Sequence, residues 1–231
     1  MTETLTLAAI LVPCLIIAIV FHEVAHGWTA LALGDPTAKE QRRLSLNPLR
    51  HVDPVGTILV PGALALFGGP IFGWAKPVPV NRNRLDNPRY GMMAVAAAGP
   101  ASNLFMALLA AIVLGVLGGV GYTSGGAIPE WLYSGFVYFI LINIFLALFN
   151  LLPIPPFDGS HILEGLLPRS MAAKFGRLQQ LGLLFIVVLV AITWAFPNSG
   201  IVERVVMPPV MWMQQHYFAL AQAVAQWWVG Q

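Results

Sequence analysis

Charge is what this chain has least of. Asp, Glu, Lys and Arg make up 10% of its 231 residues, and 58% are hydrophobic. A water-soluble domain carries about a quarter of its residues as charge, so the composition excludes an ordinary soluble enzyme and indicates a polytopic membrane protein. The formal net charge of +2 is too small to hold nucleic acid by its phosphates. Cysteine is nearly absent as well. Cys14 stands alone, which excludes an intrachain disulfide and leaves little for redox chemistry. In its apolar surroundings it reads as a small buried residue. The opening Met1-Thr2-Glu3-Thr4 has an acid and no base, and no small-residue cleavage site follows, so a removable signal peptide is not expected.

Leu5 to Phe21 holds no charged residue at all, and the helix it begins is expected to run to Leu33. Into its last third fall His22, Glu23 and His26. Each such side chain costs a few kcal/mol at membrane depth, so the cluster marks function rather than packing. His22 and His26 stand four apart on one helical face, where two imidazoles can converge on one ion. Glu23 lies beside them, placed to act as a base without being a ligand.

The helix stops at Gly34-Asp35-Pro36, and a basic loop with Lys39, Arg42, Arg43 and Arg50 follows. Thr57 to Trp74 is apolar and almost long enough to span, but it contains Pro61, Gly62, Gly68, Gly69, Pro70 and Gly73. No stable spanning helix tolerates that set, and a re-entrant or hairpin-like segment buried against protein is expected. Ala75-Lys76-Pro77-Val78-Pro79-Val80-Asn81 then reads as extended, because of its prolines. A second basic patch of Arg82, Arg84 and Arg89 follows.

Met92 to Leu117 is the next span. It opens on small residues that let helix backbones approach closely, and it carries Asn103 and the weak packing pair Gly115 and Gly119. Trp131 to Leu152 follows, with Asn143 and Asn150 as its polar members, and a further span is expected from about Leu178 to Phe196. The tail from Ile201 to Val229, broken by Pro208-Pro209, either lies in the interface or crosses again. The expected fold is therefore an all-α integral membrane protein of about 4–5 transmembrane helices, with a re-entrant or β-hairpin-like segment between the first and second. It forms a single domain over residues 1–231, with a core at 5–170 and C-terminal helices at 176–231.

Loops 34–89 and 153–177 hold eleven of the twelve Lys and Arg residues. By the positive-inside rule both face the cytoplasm, with the N-terminus and the 118–130 loop outside a bacterial-type cell membrane. That orientation brings the lower end of the first helix and Asp158, just past the third span, to one level. Catalytic zinc generally takes three protein ligands and keeps one open position, and two histidines leave it one short. Asp158 is the candidate for the third; taken alone it would read as an ordinary Asp-Gly turn. His161 is a possible spare ligand or support, whereas His51 and His216 read as solvated or interfacial. The basic clusters serve orientation and contact with anionic lipid.

Four segments together resemble the site-2 proteases, which are intramembrane zinc metalloproteases. They are His22-Glu23-Val24-Ala25-His26, Gly73-Trp74-Ala75-Lys76-Pro77-Val78-Pro79-Val80-Asn81, Gly99-Pro100-Ala101-Ser102-Asn103, and Asn150 through Asp158-Gly159. They stand in the family's order over roughly residues 5 to 170 and resemble its compact branch without PDZ or CBS modules. One departure is Phe157, which stands directly before the Asp where the family often has proline. The resemblance implies one zinc ion held by His22, His26 and Asp158, and Glu23 as the proton carrier. It implies Asn103 as a donor to the substrate carbonyl or oxyanion, or else as an interhelical bond. It makes Lys76, Pro77, Val78 and Asn81 the substrate-binding stretch, and transmembrane proteins or peptides the substrates. The rival reading is a zinc-binding membrane protein without proteolysis, either a transporter or a pseudoprotease. The intact Glu23, which has no duty as a ligand, favours the enzyme.

Overall fold

The computed structural model describes residues 2–66, 73–179, 181–195, 200, 204 and 206–230, and among these residues there is helix and turn but no strand. Helix α1 (Thr2–Ala32) is apolar all round, as a lipid-facing helix must be, and runs on through Pro13. Its 31 residues make a rod of about 46 Å at 1.5 Å per residue, longer than the ~30 Å hydrocarbon layer. The helix ends at Gly34, whose φ of 97° suits glycine alone. Asp35 follows, fully buried. Its carboxylate accepts from the amide and hydroxyl of Thr37 and, at 2.6 Å, from the amide of Asn81.

The hairpin-like reading of Thr57–Trp74 gives way to helix in the part described. Asp53 accepts from the amides of Val55 and Gly56, and Pro54 occupies the first turn. These are helix-start signals, and they launch a wide π turn (Pro54–Leu59) that continues into α3 (Val60–Leu66) after the one-turn α2 (Thr37–Glu40). Residues 67–72, where the hairpin would close, lie outside the described residues. The two ends of the excursion are pinned together: the Trp74 amide donates to the Gly56 carbonyl, and the Thr57 hydroxyl to the Trp74 carbonyl.

Helix α4 (Pro88–Ser124) is the centre of the bundle and touches α1, α5 (Glu130–Asn150), α6 (Asp158–Leu166) and the C-terminal helix. Asn87 caps its first turn, and Gly125, at φ 67°, closes its last. The chain then continues through α7 (Arg169–Gln179), α8 (Gly182–Ala195) and α9 (Met207–Val229).

Three described helices are long and apolar enough to cross a membrane: Leu5–Ala32, Pro88–Ser124 and Glu130–Asn150. In the span expected at Leu178–Phe196, α7 ends at Gln179 and α8 covers Gly182–Ala195, while residues 180 and 196–199 lie outside the described residues. Pro208 and Pro209 begin α9 rather than break it, because the first turn needs no amide donor. Helix α9 packs on α4 and α5 around Ala107, Ala111, Ile140, Ile144 and Val210. A Cβ at Gly115 would meet the Ala221 carbonyl at 2.4 Å, and one at Gly119 would meet Trp228 at 2.6 Å. The glycine pair is thus the seat of α9, in the manner of small residues between membrane helices.

Candidate metal centre

One helical turn separates His22 from His26, and both rings face α4. Their centroids are 4.6 Å apart with planes at 90°. What makes room for them is Gly99, where a Cβ would stand 2.5 Å from the His26 ring and 2.6 Å from that of His22. Asp158 arrives as the first residue of α6. The next residue, Gly159, lies so close to the end of α5 that a Cβ there would meet the Leu151 carbonyl at 2.2 Å. Asp158 Oδ2 lies 3.1 Å from His22 Nε2 and 3.3 Å from His26 Nε2.

The outer side of each ring decides its chemistry. His26 Nδ1 stands 2.7 Å from the Val95 carbonyl, which can only accept, so Nδ1 carries the proton. His22 Nδ1 stands 2.6 Å from Asn103 Oδ1. The Asn103 amide cannot be the other way round, because its nitrogen already gives both hydrogens, to the Ala18 carbonyl at 3.1 Å and to Asn143 Oδ1 at 2.8 Å. A neutral ring with its proton on Nδ1 would turn an Nε2 lone pair inward, and both Nε2 atoms point at the same buried Asp158 oxygen. Two ring nitrogens and a carboxylate oxygen converge there, a donor set that suits a metal cation. The two N···O separations also match the edge of about 3.3 Å that tetrahedral zinc requires with bonds of about 2.0–2.1 Å. Among the described residues, His22, His26 and Asp158 form the one such cluster, with ligand atoms all within 4.8 Å of one another.

A model of peptidase family M50 matches residues 10–192. The chain belongs to peptidase family M50, the site-2 proteases. This M50 chain is 40% identical over 202 residues to YwhC of Bacillus subtilis, named as a candidate zinc metalloprotease, and the match covers 85% of this chain and 89% of that one. Rip2 of Mycolicibacterium smegmatis, named in the same way, is 27% identical over 199 residues, covering 80% and 72%. MJ0611 of Methanocaldococcus jannaschii is 36% identical over 70 residues, covering 30% and 32%. No solved structure matches the chain significantly.

Other expected residues of the M50 site sort as follows. Glu23 Oε2 accepts from the Val78 amide at 2.7 Å, so the extended stretch lies across the base. The Lys76 amide is bonded to the His51 carbonyl and the Asn81 amide to Asp35, so neither is free for a substrate strand. The carbonyls of Lys76 and Pro77 both accept from Arg43 Nη2. Asn103 is fully buried, with its oxygen on His22 Nδ1 and its nitrogen on the Ala18 carbonyl and Asn143 Oδ1. His161 faces Gln179 and Glu164 and is not one of the three residues of the ligand cluster. His51 is buried, not solvated, and its Nε2 meets the Ser45 carbonyl at 2.7 Å.

Several supports have no distinctive sequence signal. Arg43 sits in a basic loop that reads as a topology signal, yet it is buried and holds the extended stretch by the Lys76 and Pro77 carbonyls. Asp35 reads as a helix stop, and it anchors the far end of the same extended stretch at Asn81. Helix α6, which carries Asp158, is held by an Arg82–Glu164 ion pair at 2.8 Å and by Arg89, which donates to the carbonyls of Gly165 and Leu167.

Proposed function

We propose that this chain hydrolyses peptide bonds within or near transmembrane segments of membrane proteins, with His22, His26 and Asp158 holding one zinc ion. The observation that carries this reading is the convergence of His22 Nε2 and His26 Nε2 on one Asp158 oxygen, with Nδ1 of each ring held from behind by an acceptor. When bound, zinc supplies a Lewis acid and lowers the pKa of water at its open position. Glu23 takes the proton of the attacking water and passes it to the leaving amine. The Val78 amide holds one of its oxygens, leaving the other to face the reaction. A substrate segment presented to Glu23 would run beside Lys76, Pro77, Val78 and Asn81, and this supports assigning that stretch to substrate binding.

Residues 1–231 act as one domain in this reading. Helix α1 starts outside, the metal centre lies toward the cytoplasm of a bacterial-type membrane, and α1, α4 and α5 cross it. Helix α9 is the fourth crossing. Tyr217 meets Leu104, Ala221 meets Gly115 and Trp228 meets Gly119, so α9 runs parallel to α4 and ends outside. A zinc-binding protein without proteolysis is the rival reading, and Glu23 separates the two. Purified protein in liposomes should cut a single-span substrate, and Glu23→Gln should retain zinc while losing several orders of magnitude in rate. A Glu23→Gln protein that cuts at the wild-type rate would overturn the mechanism.

A further inference from the structure

We propose that Asn143 is a positioning residue that sets, through Asn103, the tautomer of His22; this rests on the metal reading above. Asn143 lies in the middle of α5, fully buried, and outside every segment that resembles the site-2 proteases. Its Nδ2 donates to the Phe139 carbonyl at 2.8 Å, which turns its Oδ1 away from its own helix. That oxygen accepts from Asn103 Nδ2 at 2.8 Å. With its nitrogen so held, Asn103 presents Oδ1 to His22 Nδ1 at 2.6 Å. The bonds form one directional relay across three helices, from a carbonyl of α5 through α4 to a ligand on α1.

Direction is what matters. An Asn103 amide turned round would offer nitrogen to His22 Nδ1, which would then have to accept. The imidazole proton would move to Nε2, the atom that faces Asp158 and the metal. The Ala18 carbonyl resists that turn, and Asn143 is the second restraint. A purely packing role would ask only that position 143 be filled, and an apolar residue of the same size would serve as well there.

The test compares zinc affinity, by chelator competition in detergent, with thermal stability for Asn143→Leu and Asn143→Asp. Leu keeps the volume and removes the acceptor; Asp keeps the acceptor and buries a carboxyl group. The relay predicts opposite rankings. Asn143→Leu should bind zinc about tenfold more weakly, the usual effect of losing a partner one shell out, yet melt no lower than Asn143→Asp. Asn143→Asp should keep the tighter zinc site of the two. Where Asp is not accepted into the fold, the Asn103→Ala background replaces it, and Asn143→Leu should weaken zinc no further there. Wild-type affinity in Asn143→Leu, weaker zinc binding in Asn143→Asp than in Asn143→Leu, or additive losses with Asn103→Ala would each overturn the proposal. A wild-type protein that binds no zinc would instead sink the metal reading on which it stands.

Discussion

Replacing Gly99 by alanine adds one methyl group between the two histidines and nothing else. The new Cβ would lie 2.5 Å from the His26 ring and 2.6 Å from the His22 ring. Carbon atoms in contact sit about 3.5–4.0 Å apart, so both rings must retreat by roughly 1 Å. A zinc site tolerates changes of only about 0.2 Å in its ligand distances. In the metal-free protein the rings can move aside, and zinc must then pull them back against the methyl group. Overpacking of this kind costs about 1–3 kcal/mol, and at about 1.4 kcal/mol per tenfold the loss of zinc affinity is roughly five- to 150-fold. The assay is zinc retained in detergent against a graded chelator. Gly118→Ala serves as the control on the same helix, since its Cβ would find only Ala225 at an ordinary 3.7 Å. If Gly99→Ala and wild type release zinc at the same chelator concentration, the rings do not hold the metal as described.

Asp35 supplies a pH test. Burial pushes its carboxyl up, but the Thr37 hydroxyl, the amides of Asn81 and Thr37 and the Arg84 guanidinium outweigh that and hold it below its ordinary value. A depressed carboxylate stabilises the fold above its unfolded pKa of about 3.9, and that share is lost as pH falls through the folded value. Melting curves from neutral pH down to acid should therefore fall more steeply for wild type than for Asp35→Asn, and parallel curves would contradict this. For topology, with Cys14 first replaced, single cysteines at Lys39 and Asn83 should label from the cytoplasm. Labelling at Gly126 and a tag after α9 should report the outside, and a cytoplasmic tag would remove α9 as a crossing.

The centre was legible in sequence because its parts are costly where they stand. Two histidines and a glutamate in an apolar helix have no cheap structural explanation, and topology alone brought Asp158 to their level. The supports were not legible, because each uses a residue type that has an ordinary use nearby. Arg43 is one base among several in its loop, Asp35 ends a helix, and Asn143 is one polar residue in an apolar span. Only the fold shows that Arg43 grips two carbonyls and that Asn143 stands behind Asn103. The glycines and prolines of 57–74 mark an interrupted segment, but they do not announce the helix at 54–66, which Asp53-Pro54 starts locally. Mean apolarity marked 178–196, and the described part of that stretch is the end of α7 and the apolar helix α8.

Zinc content of the wild type and of Asp158→Ala, washed identically in detergent, tests the central claim most directly. Asp158 is the one ligand that the pattern on α1 does not itself supply, and it is set by a separate helix. The account predicts about one zinc per wild-type chain and an almost empty Asp158→Ala, since two imidazoles alone leave the site a ligand short. A full complement of zinc in Asp158→Ala would contradict it.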